Sequence, residues 1–171
     1  MDRKNFDISQ YQVEQSAKKL GLIGEFTSAE GMVATDYTRG GYTIKVIDDG
    51  SGGVDGGRLG DYLGAHKRAV ERGILNNCFD IAQRAVREDC ASGRIAAHDG
   101  TSNFVGWGNH CICYDELDDG RCVAVDLTAS SNIDEGIGNF DVLAITAGDL
   151  NQLLSRVGKL FGGEWVVMQD D

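Results

Sequence analysis

The sequence contains no proline among its 171 residues, although typical usage of about 5% would supply roughly eight. No native cis-proline can therefore delay folding, and the 24 glycines must make the turns. Long apolar runs are also missing, since no segment approaches the roughly 18 residues that a membrane span needs. Residues 1–10 carry two basic side chains with no apolar segment behind them. We therefore expect no membrane span and no cleavable signal peptide, in a protein that is cytoplasmic or delivered into a target cell.

Positive charge is scarce as well. The chain has 16 Lys and Arg against 27 Asp and Glu, which gives a formal net charge of −11. Such a chain repels phosphate backbones and anionic membrane surfaces, so we expect neither nucleic acid nor membrane as a partner. The hydrophobic share of 42% and the charged share of 25% are ordinary for a globular protein. Residues 1–171 are therefore expected to form a single domain, with the weakest structural signals in residues 1–60.

The five cysteines are odd in number and crowd the middle of the chain. This pattern predicts reduced thiols rather than a disulfide framework. A zinc site would have to use His110, Cys111, Cys113 and Cys122, but the sequence lacks the paired C-x-x-C spacing that such sites usually have. We therefore predict no metal and no cofactor.

A glycine-rich segment over residues 48–60 contains several acidic side chains and suggests calcium binding as an alternative. An EF-hand loop needs a Glu at its twelfth position. Counting from Asp48 or Asp49, that position holds Leu59 or Gly60. The segment is therefore interpreted as a mobile loop beside a cleft.

Apolar periodicity predicts an alternation of helices and strands along the chain. In order, we expect a helix from Ser9 to Gly21, weak strand signals over 22–40, a strand over 42–47, a helix over 59–73, a helix from Cys78, irregular chain over 91–109, two strands flanking 118–120, a strand over 140–145, a helix over 149–158 and a strand over 165–168. Helices flanking an antiparallel sheet define an α+β domain.

Two of the three histidines are interpreted as structural or ordinary. His66 lies on the apolar face of its predicted helix, with no thiol or carboxylate at a helical spacing that would use it. His98 precedes Asp99 and Gly100, which is a turn signal, so we expect it to be exposed. His110, at the start of a predicted strand, is the candidate for chemistry.

Cys78 falls in the first turn of the third predicted helix, where Asn76 or Asn77 is a suitable N-cap. Unpaired N–H groups and the positive end of the helix dipole favour a thiolate at this position. Cys78 also lies on the apolar stripe of the helix, and free cysteine is among the most buried residue types. A packing role therefore remains an alternative to a nucleophilic one.

The register of the hairpin around residues 118–120 decides whether His110 and Asp126 meet. A three-residue loop that closes at Gly120 pairs Leu117 with Arg121 and places His110 and Asp126 on one face. A two-residue turn shifts the pairing by one residue and separates them. We predict the first register because it groups the apolar side chains on one face and the polar ones on the other.

A Cys at the start of a helix, a His at the start of a strand and an Asp on the next strand, in this order, resemble the papain-like and transglutaminase-like superfamily of cysteine enzymes. The Asn77-Cys78 pair, the small size and the close spacing of His110 and Asp126 resemble bacterial glutamine-deamidase toxins and effectors. The resemblance covers residues 74–130, which would be the catalytic core. It implies a papain-like α+β fold with a central antiparallel sheet flanked by helices.

The resemblance implies a thiol hydrolase that acts on a protein or peptide through a catalytic triad. The implied residues are Cys78 as nucleophile, His110 as base and Asp126 as its orienting partner, with oxyanion or substrate contacts from Asn77, Trp107 and Asn109. Papain-like proteases carry a glutamine a few residues before the Cys, and residues 73–77 contain none. Glutamine deamidation is therefore expected; a cysteine peptidase or transglutaminase, and a non-catalytic binding module with a structural Cys78, remain alternatives.

Overall fold

The computed structural model describes residues 20–74, 77–98, 110–129 and 140–169. Within these ranges the chain forms four helices and seven strands. Their order is α1 (residues 20–30), β1 (Val33–Arg39), β2 (Tyr42–Asp48), α2 (Gly56–Arg72), α3 (Cys78–Arg87), β3 (Gly93–His98), β4 (Cys111–Glu116), β5 (Cys122–Asp126), β6 (Val142–Ala147), α4 (Leu150–Phe161) and β7 (Glu164–Met168). The predicted α+β class is confirmed.

All seven strands belong to one sheet, in the order β1-β2-β6-β5-β4-β3-β7. Five of the neighbouring pairs are antiparallel, but β2 and β6 run parallel. The expectation of a purely antiparallel sheet is therefore wrong at this pair. The chain passes through α2, α3 and three strands before β6 returns beside β2, and such a long crossover permits parallel pairing.

Helices cover both faces of the sheet. One hydrophobic cluster joins α2 and α3 to side chains such as Ile44, Cys111 and Val125, and a second joins α1 and α4 to side chains such as Ile112 and Leu143. The central strands β5 and β6 are consequently buried along their whole length. The predicted split of the hairpin into one apolar and one polar face is thus only partly right, because the second face is also core.

The predicted hairpin register is confirmed. The N–H of Leu117 donates to the carbonyl of Arg121 at 2.8 Å, and Cys113 lies opposite Val125. Gly120 adopts a φ of 88°, a left-handed conformation that glycine reaches without steric cost. A three-residue loop closed by this glycine therefore sets which side chains share a face near residues 110 and 126.

Strand β3 was not predicted, because residues 91–109 looked irregular. Gly93 opens this strand opposite Tyr114. A Cβ at position 93 would lie only 2.7 Å from the ring of Tyr114, so glycine is required there to make room for the ring. A glycine that reads as a strand breaker in isolation thus has a packing role inside the sheet. The side chain of His98 lies outside the described residues.

Helix α2 begins at Gly56, inside the segment over 48–60 that was predicted to be a loop. The predicted ends of two other helices were also wrong. Helix α1 does not stop at Gly21 but continues through it to residue 30, and its predicted start at Ser9 lies outside the described residues. Helix α4 passes the predicted stop at Gly158 and ends at Phe161. In both cases the helix has an apolar face buried in the same cluster beneath it, which outweighs the weak helix propensity of one glycine. No helix within the described residues is long and apolar enough to cross a membrane.

A buried carboxylate ties helix α2 to strand β4. Asp115 accepts two bonds from the guanidinium of Arg58, of which Nη2 to Oδ1 measures 2.9 Å. It also accepts from the hydroxyl of Tyr62 at 2.7 Å and from that of Ser92 at 2.9 Å. Because four donors surround it, this carboxylate stays charged although it is buried, and it fixes α2 on the sheet.

Candidate active site

Cys78 is the first residue of helix α3, as predicted. Asn77 precedes it and caps the helix, since its Oδ1 accepts from the N–H of Asp80 at 3.1 Å. Ile81, Ala82 and Ala85 form the buried face of the helix, and the half-buried Cys78 packs at the edge of the same cluster. The apolar stripe of α3 therefore turns the thiol toward the sheet.

His110 and Asp126 lie at the same end of strands β4 and β5. The Nε2 atom of His110 is 3.0 Å from Oδ2 of Asp126. Both side chains are almost wholly removed from water, with exposures of 4% and 1%. The predicted register thus brings these two residues into direct contact.

Thr128 holds the other oxygen of the carboxylate. Its N–H and its hydroxyl each donate to Oδ1 of Asp126 at 2.9 Å. Sequence reasoning missed this residue, although an Asp followed two positions later by Thr is a pattern that favours such a local turn. With Thr128 on one oxygen and His110 on the other, the orientation of Asp126 is set.

Aromatic side chains enclose the His110 ring on the side of α4. The ring centroid is 6.0 Å from that of Phe161 and 6.2 Å from that of Trp165, the latter in a T-shaped arrangement. The terminal helix and strand looked like scaffold in the sequence, so these contacts were also missed. The apolar walls keep water from competing for the bond between His110 and Asp126. Trp107, predicted to line a cleft, lies outside the described residues.

The thiol of Cys78 is hydrogen-bonded to His110 and to the backbone of Cys111. Burial alone would raise the pKa of Cys78, but the bond to His110, its positive charge and the Cys111 backbone bond together lower the pKa below the usual thiol value. The N-terminus of α3 adds a further field that favours negative charge at the sulfur. The thiol is thus placed where a thiolate is stabilised.

The pKa values of His110 and Asp126 also shift, the first upward and the second downward. Burial lowers the pKa of His110, but the charge of Asp126 and the hydrogen bond between them raise it to about 9. Burial raises the pKa of Asp126, but His110 and the two Thr128 donors outweigh this and lower it. At neutral pH the arrangement therefore favours a protonated imidazole beside an ionised Asp126, with a Cys78 thiol that is more acidic than usual.

The start of α3 offers backbone N–H groups that can donate to an oxyanion. Helix geometry gives the N–H groups of Cys78 and Phe79 no intrahelical acceptor, so they are suitable. Asn77 was predicted to contact the substrate; its Oδ1 is occupied by the helix cap, while its Nδ2 donor is not needed for that bond. Asn76 and Asn109 lie outside the described residues.

Three of the other thiols differ from Cys78 in the net direction of their pKa shift. Burial raises the pKa of Cys90, of Cys113 and of Cys122, whereas the partners of Cys78 outweigh its burial. Cys122 packs in the cluster beneath α4, whereas Cys111 and Cys113 pack in the cluster beneath α3, as the register predicts. Within the described residues, no group of three or more His, Cys, Asp or Glu is arranged to hold a metal ion.

The acidic residues of the glycine-rich segment have partners within the fold. Asp49 pairs with Arg156 at 2.9 Å, and Asp48 accepts from the hydroxyl of Thr146 at the same distance. These contacts attach the start of the segment to β6 and α4. The calcium alternative gains no support from this arrangement.

His66 has a structural role, in agreement with the sequence interpretation, although it is fully rather than partly buried. Its Nδ1 lies 2.8 Å from the carbonyl oxygen of Leu127, and its ring packs edge-on against Tyr42. The bond ties α2 to the residue next to Asp126. His66 thus supports the backbone of the site from outside it.

Comparisons with protein-family models, with curated proteins and with solved structures found no match to this chain.

Proposed function

We propose that this protein is a cysteine-dependent amide hydrolase or acyltransferase, with the side-chain amide of a protein or peptide glutamine as its substrate. One observation carries the proposal: the thiol of Cys78 is hydrogen-bonded to a buried His110, which is hydrogen-bonded in turn to Asp126. A nucleophile, a base and an orienting group in mutual contact are what thiol-based acyl transfer requires.

In the first half-reaction the thiolate of Cys78 attacks the amide carbon, and the carbonyl oxygen becomes an oxyanion. The backbone N–H groups at the start of α3 stabilise that charge. His110 then donates its proton to the nitrogen, which leaves as ammonia, and a thioester remains on Cys78. Because Nε2 of His110 faces Asp126, we assign the proton transfer to Nδ1.

In the second half-reaction neutral His110 takes a proton from a water molecule, which attacks the thioester. The carbon–sulfur bond breaks, glutamate is released, and the thiolate and the imidazolium are restored. Asp126 keeps the ring in one orientation and stabilises its charged form without taking the proton itself.

The preference for deamidation rests on the resemblance of residues 74–130 to glutamine deamidases and on the lack of a glutamine before Cys78. Peptide hydrolysis and transamidation use the same first attack and differ in the leaving group or in the acceptor. Ammonia release from a glutamine-containing peptide, with no cleavage of its backbone, distinguishes deamidation from both.

A second candidate, a non-catalytic binding module, is favoured by one observation. Cys78 lines a crevice between α3 and strands β4 and β5 that is too tight to hold a water molecule. On this alternative Cys78 is a packing residue beside a structural His110–Asp126 pair.

Alkylation of the native protein with iodoacetamide between pH 5 and pH 9 separates the two candidates. We expect Cys78 to react at pH 6.5 at least about tenfold faster than Cys90, Cys111, Cys113 and Cys122, because its pKa lies below the usual value of about 8.5. In the His110→Ala variant the labelling curve of Cys78 should move toward that usual value. Uniformly slow labelling of all five thiols would contradict catalysis.

The Cys78→Ala variant is the control for a packing role. Since Cys78 is half-buried, we expect its loss to abolish ammonia release and to cost no more than about 1 kcal/mol in urea unfolding at pH 6.5. A much larger loss of stability would support the packing module instead.

A further inference from the structure

We propose that Cys111 is a resolving thiol for Cys78, so that oxidation by a peroxide closes a reversible disulfide between them. The proposal deepens the proposed function, since it rests on a reactive Cys78. It gives Cys111 a chemical role in place of the purely apolar one that its position on the buried face of β4 suggested.

Among the other cysteines, Cys111 is the best placed to react with the sulfur of Cys78. The backbone of Cys111 is hydrogen-bonded to the sulfur of Cys78, so that sulfur sits against the first residue of β4. Both residues line the same crevice between α3 and the sheet, and the side chain of Cys111 packs in the cluster beneath α3. The two residues therefore lie on opposite walls of one small space, although the Cys111 thiol donates to Sδ of Met168 at 3.5 Å and must give up this weak contact to reach Cys78.

The remaining thiols are less suitably placed. Cys113 also lines the crevice, but it is two residues farther along β4, and its thiol donates to the carbonyl oxygen of Ala82 at 3.8 Å. Cys90 follows the other end of α3, where Arg68 donates to its sulfur at 3.2 Å. Cys122 belongs to the cluster on the opposite face of the sheet.

The chemistry balances with one peroxide. The thiolate of Cys78 attacks a peroxide oxygen, a sulfur–oxygen bond forms, the oxygen–oxygen bond breaks, and the leaving hydroxide takes a proton as water. The thiol of Cys111, losing its proton, then attacks the Cys78 sulfur and releases a second water as the disulfide forms. Two thiols and one hydrogen peroxide thus give one disulfide and two waters, and an external dithiol restores the active form.

Mass mapping after treatment with equimolar hydrogen peroxide at neutral pH tests the proposal. In the wild-type protein we expect a cross-link between residues 73–84, which contain Cys78, and residues 95–121, which contain Cys111 and Cys113. Dithiothreitol should restore rapid alkylation of Cys78. Because Cys111 and Cys113 share one tryptic peptide, the Cys113→Ser variant assigns the sulfur, and it should retain the cross-link.

The Cys111→Ser variant should form no cross-link to Cys78 and should instead accumulate sulfinic acid at Cys78, which dithiothreitol does not reverse. Equal over-oxidation of Cys78 in the wild-type protein and in this variant would overturn the proposal, as would a cross-link from Cys78 to any other cysteine. If the variant does not fold, the wild-type and Cys113→Ser maps still decide the question. Rapid alkylation of Cys78 without a cross-link contradicts the resolving role alone, whereas slow alkylation and no oxidation contradict the proposed function too.

Discussion

The two ends of the β4–β5 pair each bury an aspartate, and the partners differ. Near the hairpin, Asp115 is held by the guanidinium of Arg58 and by the hydroxyls of Tyr62 and Ser92. At the other end, Asp126 is held by Thr128 and by His110. Hydrogen-bond donors saturate both carboxylates, so burial and low pKa alone do not distinguish them.

The partner cation makes the difference. Arg58 is a permanent cation whose pKa is raised further by Asp115, so no proton moves at that end of the strands. His110, with a pKa raised to about 9, can still give up its proton, and it is hydrogen-bonded to a thiol as well as to Asp126. A buried carboxylate therefore indicates chemistry only where its partner can exchange a proton and a nucleophile is in reach.

Removal of Arg58 should have the largest effect on stability and no effect on the rate at which Cys78 is alkylated. Arg58→Met leaves the buried Asp115 carboxylate without its cation, and we expect it to lower the free energy of unfolding by on the order of 3 kcal/mol, measured by urea titration. Arg84→Met is the matched control, since Arg84 pairs with Asp80 at 3.2 Å on the surface and should cost less than about 1 kcal/mol. Slower alkylation of Cys78 in folded Arg58→Met would show that the two ends are coupled.

The Cys78→Ala variant should differ from the wild-type protein by about 1 to 2 kcal/mol in how its free energy of unfolding changes with pH. The pKa of His110 is raised to about 9, so its contribution is complete below pH 6.5 and is lost as pH rises toward 9. The lowered pKa of Cys78 contributes in the opposite sense, because its stabilisation grows as pH rises toward the usual thiol value. In Cys78→Ala the compensation is absent, and the pKa of His110 is raised by Asp126 alone, because the hydrogen bond and the charge of Cys78 no longer add to it. The free energy of unfolding of this variant should therefore fall more steeply with pH above pH 6.5 than that of the wild-type protein.

The double variant Cys78→Ala, His110→Gln isolates the histidine. Its stability should lack the decline over the same pH interval, because the group that binds the proton in the folded state is gone. Parallel pH profiles for the single and the double variant would argue against a raised pKa at His110.

The smallest effects are expected when the hydroxyl donor to each buried aspartate is removed, Thr128 at Asp126 and Ser92 at Asp115. Thr128→Val and Ser92→Ala each remove one bond to a buried carboxylate and should each cost about 1 kcal/mol in urea unfolding. Thr128→Val should also slow alkylation of Cys78 at pH 6.5 roughly threefold, because Asp126 then orients and charges His110 less well. Ser92→Ala should leave alkylation unchanged, and equal alkylation in both variants would mean that Thr128 does not act on the site through Asp126.

The local pattern of the sequence determined much of the site. Asn77 before the apolar stripe of α3 places Cys78 in a first helical turn, and Gly120 selects the turn that aligns His110 with Asp126. Both features depend on a few neighbouring residues, through a helix cap and a left-handed glycine, and such preferences act before any long-range packing.

Only the tertiary structure decided the rest. The parallel pairing of β2 with β6, the aromatic walls of His110 from Phe161 and Trp165, and the contact of Cys78 with the start of β4 join segments that are far apart in the chain. Local propensity carries no information about such partners, because they are selected by which apolar faces can be buried together. By itself the sequence could offer a cysteine, a histidine and an aspartate in a suggestive order; the packing of α3 and α4 on opposite faces of one sheet brought the thiol to the imidazole and enclosed the pair.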